Sequence, residues 1–278
     1  MLTYLTKPMD QQILITAKII MPSFLQTIDR YLLTIQYLGT KIKKGADSKS
    51  LVTKADLHIQ TMFEQWVSEN FTGQNVFGEE NPPQSIGSDW IWYIDPIDGT
   101  TLFSRGIQEW GIIICLTYRE VPILSWIYFP YIKSLYFSQK NQGSYKNGLK
   151  IHTSAVNAVK KAVVSGVYLN TLDREEIMLG KLWKDSLWGL IGRSLATDFC
   201  ALAEGKIDIV VCYDCYSWEY KALSLLVEEA GGACCGFNKS KFKVSQTQPQ
   251  SLIAFSNAKL MHTAIKLVRT PPPLTHSV

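Results

Sequence analysis

The stretch W-I-W-Y-I-D-P-I-D-G-T-T-L-F-S-R-G, residues 90–106, is the most informative part of this sequence. Its first part is apolar, aromatic and β-branched, which predicts a buried strand over residues 91–94. Pro96 has no N–H to donate, so we expect a sharp exit from that strand. The two carboxylates on either side of the proline, Asp95 and Asp98, would then point off the carboxyl end of the strand.

Two carboxylates this close in a dry site repel each other unless a cation lies between them. A hard cation such as Mg²⁺ binds such oxygens, together with waters and a substrate phosphate. Gly99 allows close approach of the backbone, so the N–H groups of Gly99, Thr100 and Thr101 can face an anion. The stretch therefore predicts metal ligands and a phosphate-binding backbone, although Asp, Pro and Gly are also common in ordinary turns.

Composition limits the classes of protein to consider. The chain has 278 residues, is 46% hydrophobic and carries a formal net charge of +4. This suits one large domain or two closely packed ones. The charge is too small and too dispersed to favour nucleic acid or an anionic membrane as a partner. Residues 13–25 are apolar but too short to span a bilayer, and they lack a cleavage site, so we predict no export signal.

The six cysteines give a weak signal. Cys212 and Cys215, followed by Cys234 and Cys235, only faintly indicate zinc, because the second pair is adjacent and no histidine is near. Reduced thiols in a cytoplasmic enzyme are the expected state.

Hydrophobic periodicity predicts the elements before and after the central stretch. Apolar residues at helical spacing predict a helix over residues 8–38 that is kinked near Pro22, and the polar residues 41–50 predict a loop. Three β-rich runs after the central stretch predict an antiparallel meander that ends in a hairpin with an Asn147-Gly148 turn. The runs are residues 111–118, 122–129 and 134–138.

The second half alternates strands with helices, which is typical of a layered α/β domain. The predicted strands are residues 162–166, 207–212 and 251–255, and the predicted helices are residues 174–182, 195–204, 217–230 and 259–268. We divide the chain into an N-terminal α+β subdomain with the metal and phosphate site (residues 1–151), a C-terminal α/β subdomain (residues 152–270) and a disordered tail (residues 271–278).

Four segments together resemble one family. The string Trp92 to Thr100 resembles the signature W-x-x-D-P-[IL]-D-G-T of the inositol monophosphatase family, a group of lithium-sensitive, Mg²⁺-dependent phosphatases. Residues 51–56 resemble its D-L-V-T-x-x-D element, residues 78–80 its G-E-E, and residues 218–232 its W-D-x-A-[AG]…E-A-G-G. The resemblance implies a layered α/β sandwich, the sugar-phosphatase fold with two subdomains and a site in the cleft between them. It also implies homodimers, two or three Mg²⁺ ions and inhibition by Li⁺.

The resemblance assigns roles to particular residues. Glu79, Asp95 and the Ile97 carbonyl would bind one Mg²⁺, and Asp95, Asp98 and Glu219 a second. Glu79 and Thr100, with Asp56 behind the threonine, would orient the attacking water, and Gly99, Thr100 and Thr101 would bind the phosphate. Each acid also has an ordinary structural interpretation: Asp56 as part of a capping box, Glu79 as a solvated acid before a loop, and Glu219 as an acid in the first turn of a helix.

The sequence departs from the family pattern at five positions. Glu219 stands in place of an aspartate that binds metal, so we expect weaker binding of the second ion. Ser50 replaces an aspartate and Leu102 an asparagine. Cys212 falls where inositol-specific members carry a glutamate, and Arg193 falls where a glycine is usual. Arg193, Cys212 and the nearby Asp214 are therefore the candidates for substrate binding.

These observations predict a Mg²⁺-dependent phosphomonoesterase that acts on a small phosphorylated metabolite such as an inositol or sugar monophosphate. A 3′-nucleotidase for phosphoadenosine phosphate is an alternative. The 3′-nucleotidase is less favoured, because relatives with that activity more often have D-G-T-K-E-F, whereas residues 98–103 of this chain are D-G-T-T-L-F. A third possibility is a degenerate family member that binds a ligand or partner without turnover, as the changes at Glu219, Cys212 and Arg193 suggest.

Overall fold

The structure is a computed structural model, which describes residues 8–34, 40–42, 51–80, 87–167, 174–236 and 249–269. The predictions for Ser50 and for the tail lie outside the described residues. Within those ranges, no helix is both long enough and apolar enough to cross a membrane.

The described part of the chain contains seven α-helices. They are α1 (Pro8–Thr34), α2 (Lys54–Asn70), α3 (Thr100–Ser104), α4 (Arg174–Asp185), α5 (Leu195–Ala203), α6 (Ser217–Glu229) and α7 (Ala258–Arg269). The first helix continues through Pro22 without interruption. A two-stranded ribbon, β1 (Thr40–Ile42) with β2 (Leu51–Thr53), comes before α2. The predicted loop at residues 41–50 therefore starts too early, because its first residues pair with β2.

Seven strands form the first sheet, in chain order. They are β3 (Asn75–Gly78), β4 (Trp90–Asp98), β5 (Gly111–Tyr118), β6 (Val121–Phe129), β7 (Ser134–Gln139), β8 (Gly143–Lys146) and β9 (Leu149–Ile151). From β4 onward the pairing is antiparallel, which confirms the predicted meander. Asn147 and Gly148 both have positive φ angles, 48° and 81°, as a two-residue type I′ hairpin requires.

The predicted sharp exit at Pro96 is wrong. Strand β4 continues to Asp98, but its pairing with β5 shifts between Asp95, opposite Ile113, and Asp98, opposite Gly111. A proline cannot donate to the ladder, so it is tolerated where a bulge interrupts the pairing. The bulge lies between the two aspartates, so the direction of each carboxylate depends on it.

Five strands form the second sheet, in the order β11-β10-β12-β14-β13. They are β10 (Val163–Val167), β11 (Trp188–Ile191), β12 (Ile209–Cys215), β13 (Ala233–Gly236) and β14 (Gln250–Phe255). Strand β10 pairs in parallel with β11 and β12, while β14 pairs antiparallel with β12 and β13. The sequence analysis missed β11 and β13, which are four residues long and lie at the two edges of the sheet.

Three buried clusters show how the layers stack. One packs α1 and α2 against one face of the first sheet. The second fills the space between the other face of that sheet and the second sheet, and it contains α5 and α6. The third packs α4 and α7 on the outer face of the second sheet. This stacking confirms the layered α/β sandwich. The first sheet ends at Ile151 and the second begins at Val163, while the subdomain boundary at residue 151 stays a prediction.

Candidate active site

Three buried carboxylates meet where β4 ends and α6 begins. Asp95 and Asp98 flank the bulge in β4, and Glu219 lies in the first turn of α6. Each offers one oxygen such that the three oxygens lie within 4.8 Å of one another. The side chains are 2%, 2% and 7% exposed. Buried carboxylates at this spacing repel each other, so the cluster favours the binding of a cation.

Asp98 is held by the N-terminus of α5. Its Oδ1 accepts a hydrogen bond from the Leu195 N–H at 3.3 Å, and its Oδ2 accepts one from the Ala196 N–H at 2.6 Å. The Ser194 hydroxyl, which caps α5, is a further partner. Burial raises the pKa of Asp98 to about 6, while these three hydrogen bonds act to lower it. The carboxylate is thus supported in its ionised form.

Asp95 accepts fewer hydrogen bonds than Asp98 does, so its ionised form is less well supported. Its Oδ1 accepts a hydrogen bond from the Ile97 N–H at 3.0 Å, within the bulge. Burial raises the pKa of Asp95 well above its usual value, and the negative charges of Glu79, Asp98 and Glu219 raise it further. Because one acid is surrounded by so many others, Asp95 is the centre of the repulsion in the cluster.

Glu219 closes a capping box at the start of its own helix. Its Oε2 accepts a hydrogen bond from the Tyr216 N–H at 2.6 Å. Cys215 lies within hydrogen-bond range of the same carboxylate. Burial raises the pKa of Glu219 well above its usual value, with further contributions from Cys215 and Asp98.

Glu79 approaches the cluster from β3. Strands β3 and β4 are parallel, so their carboxyl ends meet at the same edge of the sheet. The Glu79 N–H donates to the Ile94 carbonyl at 3.3 Å, and the half-buried Glu79 raises the pKa of Asp95 and Glu219. Glu79 therefore lies near the cluster, although it is not one of the three acids whose oxygens lie within 4.8 Å of one another.

A threonine and an aspartate lie next to the cluster. The Thr100 hydroxyl has two acceptors, Asp56 Oδ1 at 3.2 Å and the Ile97 carbonyl at 3.0 Å. Gly99 is the N-cap of α3 and has a φ of 93°, a conformation that strongly favours glycine. The first N–H groups of a helix have no intrahelical partner, so those near Thr100 and the exposed Thr101 can face an anion.

A side chain at Gly99 would also make tight contacts with the N-cap residue of α5 and with Trp110. An added Cβ would lie 3.0 Å from the Cβ of Ser194 and 3.3 Å from that of Trp110. The phosphate-binding turn that we predicted therefore packs directly against the cap of the helix that holds Asp98.

The three candidates for substrate binding differ in position. Arg193 is exposed, and its guanidinium donates to Glu109 Oε1 at 2.7 Å and to the buried Asp198 at 3.3 Å. Cys212 is fully buried and hydrogen-bonded with Cys215. Asp214 is exposed, with a φ of 54°. None of the three is part of the acidic cluster described above, although Asp98 and Glu219 both contribute to the raised pKa of Cys212, which burial mainly causes.

The sequence analysis missed the residues that hold the carboxylates in place. The N–H groups of Leu195 and Ala196 could not be assigned to Asp98, since 97 and 98 residues separate them. A signal did exist for Ser194, because a serine directly before an apolar helix is a typical N-cap. The contact of Cys215 with Glu219 had no signal of its own.

Comparisons with known proteins agree with this fold. The model of the inositol monophosphatase family matches residues 12–270. The fructose-1,6-bisphosphatase/inositol-1-monophosphatase of Aquifex aeolicus is 29% identical over 188 residues, which cover 66% of this chain and 71% of that protein. The histidinol-phosphatase of Chlorobaculum parvum is 28% identical over 241 residues, which cover 81% of this chain and 87% of that protein.

Solved structures resemble the chain along most of its length. A Thermotoga maritima IMPase superposes with a TM-score of 0.76 at 23% identity, covering 88% of this chain and 94% of that one. An IMPase/NADP phosphatase complexed with Mg²⁺ and phosphate gives a TM-score of 0.81 at 23% identity, covering 94% and 97%.

The matches place the chain among phosphatases that hydrolyse phosphoric monoesters. The chain belongs to the inositol monophosphatase family, because the family model matches most of its length. Members of this family depend on metal ions. The acidic cluster fits such an ion, since its donors are carboxylate oxygens, which Mg²⁺ prefers, and their mutual repulsion is relieved by a cation.

Proposed function

We propose that this chain is a Mg²⁺-dependent phosphomonoesterase that hydrolyses a small phosphorylated metabolite, such as an inositol or sugar monophosphate. The observation that supports this most is the group of three buried carboxylates with oxygens within 4.8 Å of one another, next to the N-cap glycine of α3. The hydrogen bonds that Asp98 and Glu219 accept at helix N-termini do not remove the repulsion between the three carboxylates, whereas a bound cation does.

In this proposal the ions are held by side chains on both sides of the β4 bulge. Glu79, Asp95 and the Ile97 carbonyl would bind one Mg²⁺, and Asp95, Asp98 and Glu219 the other. When bound, the ions supply positive charge that stabilises the charge on the phosphoryl oxygens during an in-line displacement.

Thr100 and Asp56 orient the attacking water. Because Asp56 Oδ1 accepts the hydroxyl proton of Thr100, a lone pair of Thr100 Oγ1 remains to accept a hydrogen bond from that water. The Glu79 carboxylate accepts the other water proton, which increases the nucleophilicity of the water oxygen. The N–H groups of Gly99, Thr100 and Thr101 donate to the phosphate and hold the phosphorus in line with the water.

The residue at position 212 supports a proposal of relaxed specificity. A buried carboxylate that binds a hydroxyl discriminates strongly between substrates, and Cys212 offers a buried thiol instead. Relatives are named as phosphatases of inositol phosphate, fructose 1,6-bisphosphate and histidinol phosphate, which also span several substrates. We propose less than about a hundredfold preference for inositol 1-phosphate over small sugar phosphates.

We also propose that the chain forms a homodimer. Among the described residues, β11 is an edge strand of the second sheet; Leu187, just before it, and Trp188 and Ile191 within it are 64%, 65% and 79% exposed. An unpaired edge with large apolar side chains is a typical site of association. Light scattering of the wild-type protein and of Trp188→Lys would test this, because a dimer that uses this edge should dissociate in the variant.

The six cysteines are free, and four of them are buried. Free thiols are typical of a reducing compartment, so we propose a cytoplasmic location. Labelling of thiols in freshly lysed cells of the source organism would detect disulfides if the protein instead matures in an oxidising compartment.

Release of inorganic phosphate from a panel of monophosphates tests the proposed function. The panel contains inositol 1-phosphate, small sugar phosphates, histidinol phosphate and 3′-phosphoadenosine 5′-phosphate, each with Mg²⁺, without it, and with added Li⁺. We expect Mg²⁺-dependent release that Li⁺ inhibits. Release from the phosphoadenosine compound alone would favour the 3′-nucleotidase, and no release from any compound would favour the degenerate member.

A further inference from the structure

A buried lysine lies two residues after Glu219 on α6. Lys221 is 1% exposed, and its neighbours Tyr220 and Ala222 are buried as well. A buried ammonium group has a large desolvation cost unless it is paired and hydrogen-bonded. An apolar side chain of similar volume would fill the same space without this cost. Packing therefore does not explain why a lysine is present.

Glu120 and the rings of Tyr93 and Tyr220 surround the ammonium group, with the Tyr220 centroid 5.8 Å from Nζ. Lys221 Nζ donates to Glu120 Oε2 at 2.8 Å and to the Glu120 carbonyl at 3.1 Å, and it lies 4.8 Å from the centroid of the Tyr93 ring. The Tyr93 hydroxyl donates to the same Oε2 of Glu120 at 2.9 Å. Lys221, Glu120 and Tyr93, the Lys221 triad, connect α6, β4 and the turn between β5 and β6.

The turn that supplies Glu120 has an uncommon conformation. Arg119 and Glu120 have φ angles of 47° and 66°, where a type I′ turn usually has Asn-Gly. A residue other than glycine is strained in this region of backbone conformation. The turn presents both the carbonyl and the carboxylate of Glu120 to Lys221, so the strained conformation is linked to this contact.

The triad is next to the acidic cluster on both elements. Tyr93 comes two residues before Asp95 on β4, and side chains two apart on a strand share a face. Lys221 comes two residues after Glu219 on α6; side chains at this spacing do not share a face, so the two are linked through the backbone of the first turns of the helix. Apolar contacts between a helix and a sheet are non-directional and permit small displacements, whereas the hydrogen bonds and the cation–π contact of the triad hold one position.

We propose that Lys221 is a positioning residue for the metal site. Through Glu120 and Tyr93 it sets the position of α6 along β4, and thereby the separation between Glu219 and Asp95. This inference rests on the proposed function. Mg²⁺ tolerates little departure from octahedral geometry, so a small displacement of α6 weakens binding of the ion between those two acids while the fold remains intact.

Lys221→Met tests the inference, because it removes the charge and keeps an unbranched side chain. The probe is Mn²⁺, whose free concentration is measured by electron paramagnetic resonance in a titration of the protein. We expect the weaker of two Mn²⁺ affinities to fall about tenfold, as is typical when a group that supports a ligand is removed. The melting temperature should stay the same or rise, because a buried charge is lost.

Activity gives a second measurement. With inositol 1-phosphate, Lys221→Met should need about tenfold more Mg²⁺ for half-maximal phosphate release, while KM at saturating Mg²⁺ changes less than about twofold. Tyr93→Phe removes only a hydroxyl and should shift the Mg²⁺ requirement in the same direction by about threefold. It tests the inference even if Lys221→Met fails to fold.

The chain contains a matched control. Lys146 Nζ lies 3.0 Å from both carboxylate oxygens of Glu204 and 5.1 Å from the centroid of the Tyr136 ring, and the Tyr136 hydroxyl donates to Glu204. This second triad is on neither β4 nor α6, and Glu204 follows the end of α5 that is far from Ser194. We expect Lys146→Met to leave Mn²⁺ affinity unchanged.

Each outcome supports or contradicts the positioning role of Lys221 or the proposed function. Unchanged Mn²⁺ affinity in a folded Lys221→Met or in Tyr93→Phe overturns the inference. An equal loss in Lys146→Met also overturns it, because the effect would then be a general one. If the wild-type protein binds no Mn²⁺ and releases no phosphate, the proposed function itself fails. If the wild-type protein does both and the variants match it, only the positioning role is wrong.

Discussion

Asp98 and Glu219 both belong to the acidic cluster, and each is held by a helix N-terminus in a different way. Asp98 accepts two N–H groups from α5, a helix that belongs to another part of the chain. Glu219 accepts one N–H from the start of its own helix and lies beside the buried thiol of Cys215. Because both carboxyls are buried, the larger number of hydrogen-bond donors around Asp98 gives its ionised form the stronger support.

The electrostatic consequence is that the two acids differ in what they need from a cation. The pKa of Asp98 is about 6, so Asp98 is largely ionised at neutral pH before any ion binds. Burial raises the pKa of Glu219 well above its usual value, and a cation beside it would favour its ionised form. Hydrogen bonds from the protein therefore favour the ionised form of Asp98, whereas a bound cation favours that of Glu219.

Asp95 is repelled by both Asp98 and Glu219, so replacing it should affect both acids and produce the largest effect. We expect Asp95→Asn to lower kcat at least about a thousandfold, because in our proposal Asp95 is the ligand common to both ions. The metal-free variant should also melt at a higher temperature, since the repulsion centred on Asp95 is reduced.

Phosphate release and thermal melting measure both effects. Asp89→Asn is a matched control, because Asp89 is exposed and pairs with Arg119 at 3.0 Å just before the same strand. Wild-type turnover by Asp95→Asn at low Mg²⁺ would contradict the assignment of the metal ligands.

Glu219→Asp tests whether Glu219, the acid with fewer hydrogen-bond donors, is a metal ligand. The shorter side chain cannot both close the capping box with Tyr216 and reach the cluster. We therefore expect the Mg²⁺ concentration for half-maximal activity to rise about tenfold. A lower Mg²⁺ requirement would show that the glutamate is an overlong ligand. No change in either direction would mean that Glu219 is not a ligand, and the degenerate-member hypothesis would gain support.

Ser194→Ala removes one of the hydrogen bonds that favour the ionised form of Asp98. The Ser194 hydroxyl is a hydrogen-bond partner of Asp98 and caps α5 by accepting the Thr197 N–H at 3.2 Å. Its loss should raise the pKa of Asp98. We expect the Mg²⁺ requirement to increase about threefold near pH 6 and to remain the same near pH 8, where Asp98 is ionised in either case. An equal increase at both pH values would indicate displacement of α5 rather than a change in protonation.

The pH dependence of stability should show the smallest effect. A carboxyl with a raised pKa favours the folded state while it is protonated, and this contribution is lost as the pH rises through its folded pKa. That pKa is about 6 for Asp98, and burial also raises the pKa of Asp95 and Glu219. Without Mg²⁺, the melting temperature should therefore be a few degrees higher near pH 5 than near pH 8.

Saturating Mg²⁺ should raise the melting temperature more near pH 8 than near pH 5, because the ion binds the ionised carboxylates. Differential scanning calorimetry at the two pH values measures both quantities. A melting temperature of the metal-free protein that increases with pH over this range would show that the cluster is not destabilised by its own charge.

Particular residues show how far the sequence could predict this structure. Residues 91–94 are apolar and β-branched, and they lie in the buried strand β4. Asn147-Gly148 predicted its hairpin because both residues tolerate positive φ. Pro96 was misjudged, because whether a proline ends a strand or occupies a bulge depends on the pairing of β4 with β5. Strand β11 was missed because a four-residue edge strand has too few residues to show a period.

The sequence by itself determined which acids, glycines and helices this protein has, and through them the layered fold and the phosphatase family. These signals are carried by residues that are close together in the chain. Only the tertiary structure decided that α5 donates to Asp98, that Glu219 caps its own helix, and that Lys221 is paired with Glu120 over 101 residues. Contacts of this kind depend on how helices and sheets pack, because hydrogen bonds are directional and form only where packing brings the two groups within reach.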